Sequence, residues 1–413
     1  MSRGLLDESY APAVRRAVVP LTGARLATNA VYRFAPPFLA TIARGLDVSL
    51  ADLGVAIAIT EAAGLTAPLV GRVIDHVPRR TAMLAGLAGV AAGATIAGLS
   101  SGIVMFTVGL LVLAATKVVF DVGIISWTAD HVPYDRRGRI TGLLETSWAL
   151  GLLVGVSLLG LVAAATSWRW AYLLGAVGVV VAAGAMRARV ALEPAVRAAG
   201  TRRVTPAGAI DRPGWIAAVA VLGLMGAAQA LFVTFGAWLE DDYGYGTAAL
   251  SVVTFGIGGL ELLASTTSAA RTDRWGKERS VVGGTLVMIP CALLLAALHG
   301  TLGVALVLLA VFIAAFEFAF VSTIPIGAEL VPGAPGKGIG ALLASATVGR
   351  TIVAIPATRL YDRFGIAAPA LLAASFAALA GVAMLVRHHL LATPAPHGGR
   401  RRAATARPRM GHR

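Results

Sequence analysis

Twelve apolar stretches, each close to the roughly 20 residues that carry a helix through a bilayer, recur along this chain. They lie at 19–41, 50–70, 81–99, 103–128, 140–165, 170–186, 214–237, 248–270, 280–298, 301–324, 340–358 and 367–386. Hydrocarbon offers no water to the backbone, so a segment of that length must satisfy its own N–H and C=O groups as a helix. The reading is an all-α membrane protein with twelve transmembrane helices, and a composition 57% hydrophobic and 14% charged agrees with it.

The net charge of +14 would point to nucleic acid if it were gathered on one surface. Sorted by connection, 27 of the 35 Lys and Arg residues fall on one side of the membrane, 4 on the other and 4 inside spans. The positive-inside rule reads the basic side, with both termini, as cytoplasmic. The basic excess is therefore topology, and the expected partners are a lipid bilayer and a small molecule, with no nucleic acid. Arginine outnumbers lysine among abundant Ala, Gly and Val, a composition associated with high-GC bacteria, so the expected location is a bacterial cytoplasmic (inner) membrane. Cys291 stands alone, which rules out an intramolecular disulfide.

The longest interior polar stretch, 187–213, divides the chain into six-span halves at 19–186 and 214–386, with terminal segments at 1–18 and 387–413. The end of the tail, 392–413, has the composition of a disordered segment. Corresponding connections carry a repeated signal. Gly71 is followed by Asp75, Pro78, Arg79 and Arg80, and Ala269 by Asp273, Gly276, Lys277 and Arg279, with the two aspartates 198 positions apart.

These paired small-x-x-x-Asp-basic loops, the twelve spans, the long middle loop and the Arg136, Arg137, Gly138, Arg139 run before the fifth span resemble the major facilitator superfamily. The resemblance covers nearly the whole chain and is greatest to twelve-span bacterial efflux permeases of the drug:proton and arabinose-efflux type. It implies two pseudo-symmetric six-helix bundles and alternating access around a midplane site. There are departures: Pro78 stands where the family loop has Gly, the fourth span carries Lys117 and Asp121 where many proton-coupled members have Arg, and Gly151 and Gly155 lack the Gly-Pro step of the antiporter motif.

Nine ionisable residues fall inside spans: Arg25, Arg33, Glu61, Lys117, Asp121, Glu145, Glu261, Glu317 and Arg350. Each would cost on the order of 3 kcal/mol against lipid, so they must face one another or a wet cavity. Arg25, Asn29 and Arg33 recur at every fourth residue on one face. Lys117 and Asp121 are one turn apart. Four cations against five carboxylates leave one acid without a full partner, and such an acid is able to take up and release a proton. Asp121 and Glu317 are the first choices, Glu317 ahead because Lys117 holds Asp121 ionised; Glu145, Glu261, Glu61 and Arg350 complete the expected coupling set. Glu61 and Glu261, separated by close to the repeat offset, are expected in the cytoplasmic half of spans two and eight.

The resemblance implies that spans one, four, seven and ten line the cavity, which gives Arg25, Asn29, Tyr32, Arg33, Lys117, Gln229 and Phe316 as expected substrate contacts. A cationic wall on the first span faces an aromatic one on the tenth (Phe312, Phe316, Phe318, Phe320), suited to an amphipathic or anionic molecule. Arg33 needs a partner, either the anionic part of the substrate or a carboxylate such as Asp121 or Glu317. Gating is expected from Asp75, Arg79, Arg80, Asp273 and Lys277, whose aspartates can bind a neighbouring helix N-terminus. No phosphate-binding loop is present, and Gly256, Gly258 and Gly259 lie within a span, so the energy source is expected to be the proton gradient with no cofactor. His388 and His389 have no further ligands beside them, so no metal is expected, and no clustered His, Asp and Ser supports an enzyme. The expectation is a monomeric proton-coupled efflux transporter. The alternatives are an anion or metabolite importer or uniporter, and a lipid flippase.

Overall fold

The computed structural model describes residues 10–74, 76–133, 136–191, 209–331 and 335–392. Among them there are sixteen α-helices and no strand. The first span is broken: α1 (Pro12–Tyr32) ends at Arg33, a 3₁₀ turn spans Pro36–Phe38, and α2 (Leu39–Leu46) completes the crossing. Pro36 and Pro37 have no N–H to continue the ladder, and each disfavours helical geometry in the residue before it. The span begins earlier than hydropathy indicates, because Val14, Ala17 and Val18 are buried within α1 despite Arg15 and Arg16 between them.

The second span joins α3 (Leu50–Ala62) to α4 (Ala67–Ile74) through a 3₁₀ turn. Then follow α5 (Arg79–Gly98), α6 (Ile103–His131), a fifth span of α7 (Arg137–Leu150), a π-helical segment (Gly151–Val156) and α8 (Ser157–Ala165), and α9 (Trp168–Arg189). The seventh span is α10 (Arg212–Phe232) with α11 (Phe235–Tyr243), and single helices form the rest: α12 (Thr247–Trp275), α13 (Lys277–Leu298), α14 (Leu302–Glu329), α15 (Pro335–Phe364) and α16 (Ala367–Ala392). Eleven of these crossings are long and apolar enough to span a membrane by composition. The first is the exception, because it carries arginines along its length. The last helix runs past 387, where a basic tail was expected: Arg387 is buried, reaches Glu278 Oε1 at 3.3 Å and donates to the Pro213 carbonyl at 2.9 Å. The part of the expected tail beyond 392 lies outside the described residues.

In the first half, α5 packs on α6 and α9, and α1 on α7 and α9; in the second, α10 packs on α15 and α16, and α13 on α14 and α16. A Cβ on Gly93 would lie 2.4 Å from the backbone N of Leu113 and 2.7 Å from the Gly109 carbonyl, so α5 and α6 touch backbone to backbone. Gly93→Val is therefore expected to cost about 1–3 kcal/mol by overpacking. A lower unfolding temperature of the detergent-purified protein checks it.

The halves meet along two seams, α3 on α15 and the π-broken fifth span on α12. Glycines set their closeness: a Cβ on Gly54 would lie 1.9 Å from Thr358 Oγ1, one on Gly236 2.0 Å from the Pro37 carbonyl, and one on Gly258 2.4 Å from Leu153 N. The tightest of these contacts cluster at the end of the bundle with the short connections. Toward the arginine-rich end the second span changes allegiance, and α4 packs on α6 of its own half.

Candidate functional site

The break after α1 is what positions Arg33. Released from the helix, with φ −87° and ψ 0°, its side chain crosses to the other half. Nη1 donates to Glu261 Oε2 at 2.9 Å and Nη2 to Oε1 at 2.7 Å, a two-pronged pair that only a planar guanidinium can form. Nη1 also donates to the Trp148 carbonyl at 3.0 Å, and the guanidinium lies 4.4 Å from the Trp148 ring centroid and 5.8 Å from that of Phe232. Glu261 is fully buried, so the pair is desolvated. Neither Asp121 nor Glu317, the carboxylates anticipated for Arg33, is its partner. Trp148 lies three residues before the π-helical segment, where the helix changes its bonding register.

Arg25 remains within its own half. Nη1 donates to Glu145 Oε1 at 2.8 Å, and Nε lies 3.4 Å from Asp121 Oδ1. Lys117 Nζ donates to Asp121 Oδ2 at 2.5 Å and lies 5.4 Å from the Tyr32 ring centroid. Tyr32 Oη in turn donates to Glu61 Oε2 at 2.8 Å, and Arg350 Nε lies 3.1 Å from the same oxygen, which makes a second ion pair across the halves. Glu61 and Glu261 both lie near the middle of their spans, Leu50–Ile74 and Thr247–Trp275, and not toward one side as expected. Asn29 Nδ2 donates to Ser147 Oγ at 3.3 Å while its Oδ1 is buried without a partner.

Glu317 is different. It is only 5% exposed, and among the described residues no hydrogen bond or ion pair reaches its carboxylate. The charges near enough to act on it are Glu261, Arg33 and Glu145, which come from both halves. The rings of Phe316 and Phe320 stack one turn apart beside it, with centroids 6.0 Å apart. Phe318 does not share that wall, because it packs on Trp275 of α12 with centroids 5.8 Å apart. Gln229 Nε2 is likewise buried without a partner among the described residues.

At the arginine-rich end the expected gating residues act inside each half. Arg79 Nε donates to Asp130 Oδ2 at 2.8 Å, tying α5 to α6, and Lys277 pairs with Glu329, tying α13 to α14. Among the described residues Asp273 is exposed without a hydrogen bond or ion pair and Arg80 Nε is buried without a hydrogen bond, while Asp75 lies outside them. Missed in the sequence were the carbonyl of Trp148, the Ser147 hydroxyl and a buried hydroxyl triangle of Ser268, Thr272 and Ser322, with 2.8–3.1 Å edges, that joins α12 to α14. A main-chain acceptor leaves no mark in a residue pattern. The hydroxyl triangle does leave one, since Ser268 and Thr272 share a helical face.

Paired helical halves, joined by ion pairs through mid-span and holding an unpaired acid between them, define a polytopic membrane protein with a polar centre. The chain belongs to the major facilitator superfamily, whose sequence pattern residues 21–353 match. It is similar to the uncharacterized MFS-type transporter YwfA of Bacillus subtilis (strain 168), 29% identical over 137 residues, a match covering 33% of this chain and 33% of the relative. In fold it is similar to a bacterial homolog of the human lysosomal transporter Spinster in its inward-facing, occupied conformation, with a TM-score of 0.75 and 12% identity over 92% of this chain and 97% of that one. The human organic anion transporter MFSD10 (TETRAN) is similar at a TM-score of 0.66 and 17% identity, over 91% of this chain and 100% of the other.

Proposed function

We propose that this protein is a secondary active transporter of the bacterial cytoplasmic membrane that moves a small amphipathic molecule by alternating access, coupled to protons and working as an exporter. The observation that carries the reading is Glu317, a buried acid without a partner between the two halves. An acid in that place can exchange its proton as the halves move, whereas acids held by arginine or lysine are fixed in charge. Asp121, engaged by Lys117 and Arg25, serves structure in this reading. Asp121→Asn is expected to leave uphill transport within about threefold of wild type at a stability cost of about 1–3 kcal/mol. Abolished uphill transport in a stable Asp121→Asn protein would assign Asp121 to coupling.

The positive-inside rule places the arginine-rich end in the cytoplasm. With the opposite end sealed by the Gly54 and Gly236 contacts, the conformation corresponds to the inward-facing one. The inward-facing conformation of the similar Spinster homolog supports this reading. Arg33 is held by Glu261, so an anionic substrate head would have to displace a two-pronged ion pair to reach it. The apolar body of the substrate would lie on Phe316 and Phe320.

Transport by purified protein in liposomes under an imposed pH gradient, against a panel of labelled amphiphiles and sugars, tests the proposal. Accumulation that collapses when the gradient is dissipated is the expected result. Transport indifferent to the gradient refutes coupling and leaves a uniporter, and headgroup movement of labelled lipid alone makes the protein a flippase.

A further inference from the structure

Two carboxylates at the short-loop end, Asp362 and Glu240, sit opposite features of the other half that only a closed outer face brings within reach. Asp362, at the end of α15, accepts through Oδ2 from the backbone N–H of Ala51 at 3.0 Å. That amide lies in the first turn of α3, whose N-terminus is already capped by Ser49 Oγ accepting from Asp52 N at 3.1 Å. The open N–H groups and the helix dipole favour negative charge there; Asp52 of the same turn supplies one carboxylate, accepting from the Ser49 N–H at 3.1 Å, and Asp362, 311 positions from Ala51, adds a second from the other half. Glu240, near the end of α11, pairs with Arg44 of α2 and accepts from Thr41 Oγ1 at 2.7 Å. Its side chain is 5% exposed while that of Arg44 is 62% exposed, so the acid is held in the seam and the arginine folds over it from outside. Tyr361 Oη donates to Asp241 Oδ2 at 2.8 Å, bracing the ends of α15 and α11 against each other.

We propose that Asp362 and Glu240 form a two-point outer latch that stabilises the inward-facing state and must be released for the outer face to open. Each contact joins opposite halves, and each requires the close approach seen at Gly54 and Gly236. Separating the halves at this end returns Asp362 and the α3 amide, and Glu240 and Arg44, to water, where the attraction within each pair is screened. The arginine-rich loops, with their aspartates, were the expected place for an acid bound to a helix N-terminus. Among the described residues, a bond of this kind crosses the halves at the opposite end, on residues that no repeat marks. The latch rests on the two-state reading of the halves and is independent of which acid carries the proton.

Spin labels at Ser101→Cys and Thr301→Cys, on exposed short-end loops of different halves, read the opening of the outer face by pulsed electron resonance. A second pair at Arg187→Cys and Arg274→Cys reads the other end. Both are made in the full chain with Cys291→Ala. Asp362→Ala and Glu240→Ala are each expected to shift the outward-to-inward ratio roughly threefold, and the double variant roughly tenfold, with lengthening at the short-loop pair and shortening at the other. Asp362→Asn, which keeps an acceptor but not the charge, is expected between Ala and wild type. The swap of Arg44→Glu with Glu240→Arg is expected to restore the inward population.

Unchanged distance populations in well-folded Asp362→Ala and Glu240→Ala proteins overturn the latch, as does an equal shift in Arg363→Ala, which takes no part in it. Should a variant fold poorly, Arg44→Gln, at an exposed position, carries the same test with the same two outcomes. A latch response alongside gradient-independent transport separates failure of proton coupling from failure of the latch.

Discussion

Replacing Glu261 with alanine is expected to destabilise the protein by about 3–5 kcal/mol, because it leaves the Arg33 guanidinium buried with its charge uncompensated. The cost exceeds that of losing a surface ion pair, typically no more than about 1 kcal/mol, since Glu261 is fully buried and Arg33 nearly so. Arg33→Ala should cost a comparable amount by stranding the carboxylate. Removing both charges together, as Arg33→Met with Glu261→Met, is expected to recover most of the loss, because the desolvation of both ions disappears with their attraction. The measurement is thermal unfolding of detergent-purified single and double variants. Additive losses in the double variant would show that the two side chains act separately. The recovered double variant is expected to fold without transporting, because the pair joins the halves beside Glu317.

The second large effect is functional. Glu317→Gln keeps the size of the side chain and its hydrogen-bonding capacity but cannot cycle a proton. With one proton moved per substrate, a gradient of one pH unit, about 1.4 kcal/mol, sustains roughly tenfold accumulation. In the Glu317→Gln protein that ratio should fall to about one, while exchange of labelled for unlabelled substrate across equal pH continues. Retained exchange separates lost coupling from lost binding. Undiminished uphill accumulation would remove Glu317 from the coupling path and reopen the choice among the remaining acids.

How far the sequence could be read differs from residue to residue. The spans were legible because the bilayer imposes length and apolarity on every crossing, and even the misplaced ends have local causes. Val14 and Val18 are buried among arginines that hydropathy counts against the helix, and Arg387 is withdrawn from the tail by Glu278 and the Pro213 carbonyl. The charge count showed that one acid must go unpaired, but not which. That follows from Asp121 lying within reach of both Lys117 and Arg25 while nothing in the described residues reaches Glu317.

By itself the sequence determined the number of crossings, their helical state, the gathering of the basic loops at one end of the bundle and the family, all of which follow from local composition or short motifs repeated at a fixed offset. The tertiary structure alone decided the pairings: Arg33 with Glu261 across 228 positions, Glu61 with Arg350, Asp362 with the first turn of α3. An ion pair depends on where two helices bring a few atoms within 4 Å. Helical periodicity gives the face on which each charge sits, but the opposite charge that meets it is set by which helices the whole bundle packs side by side.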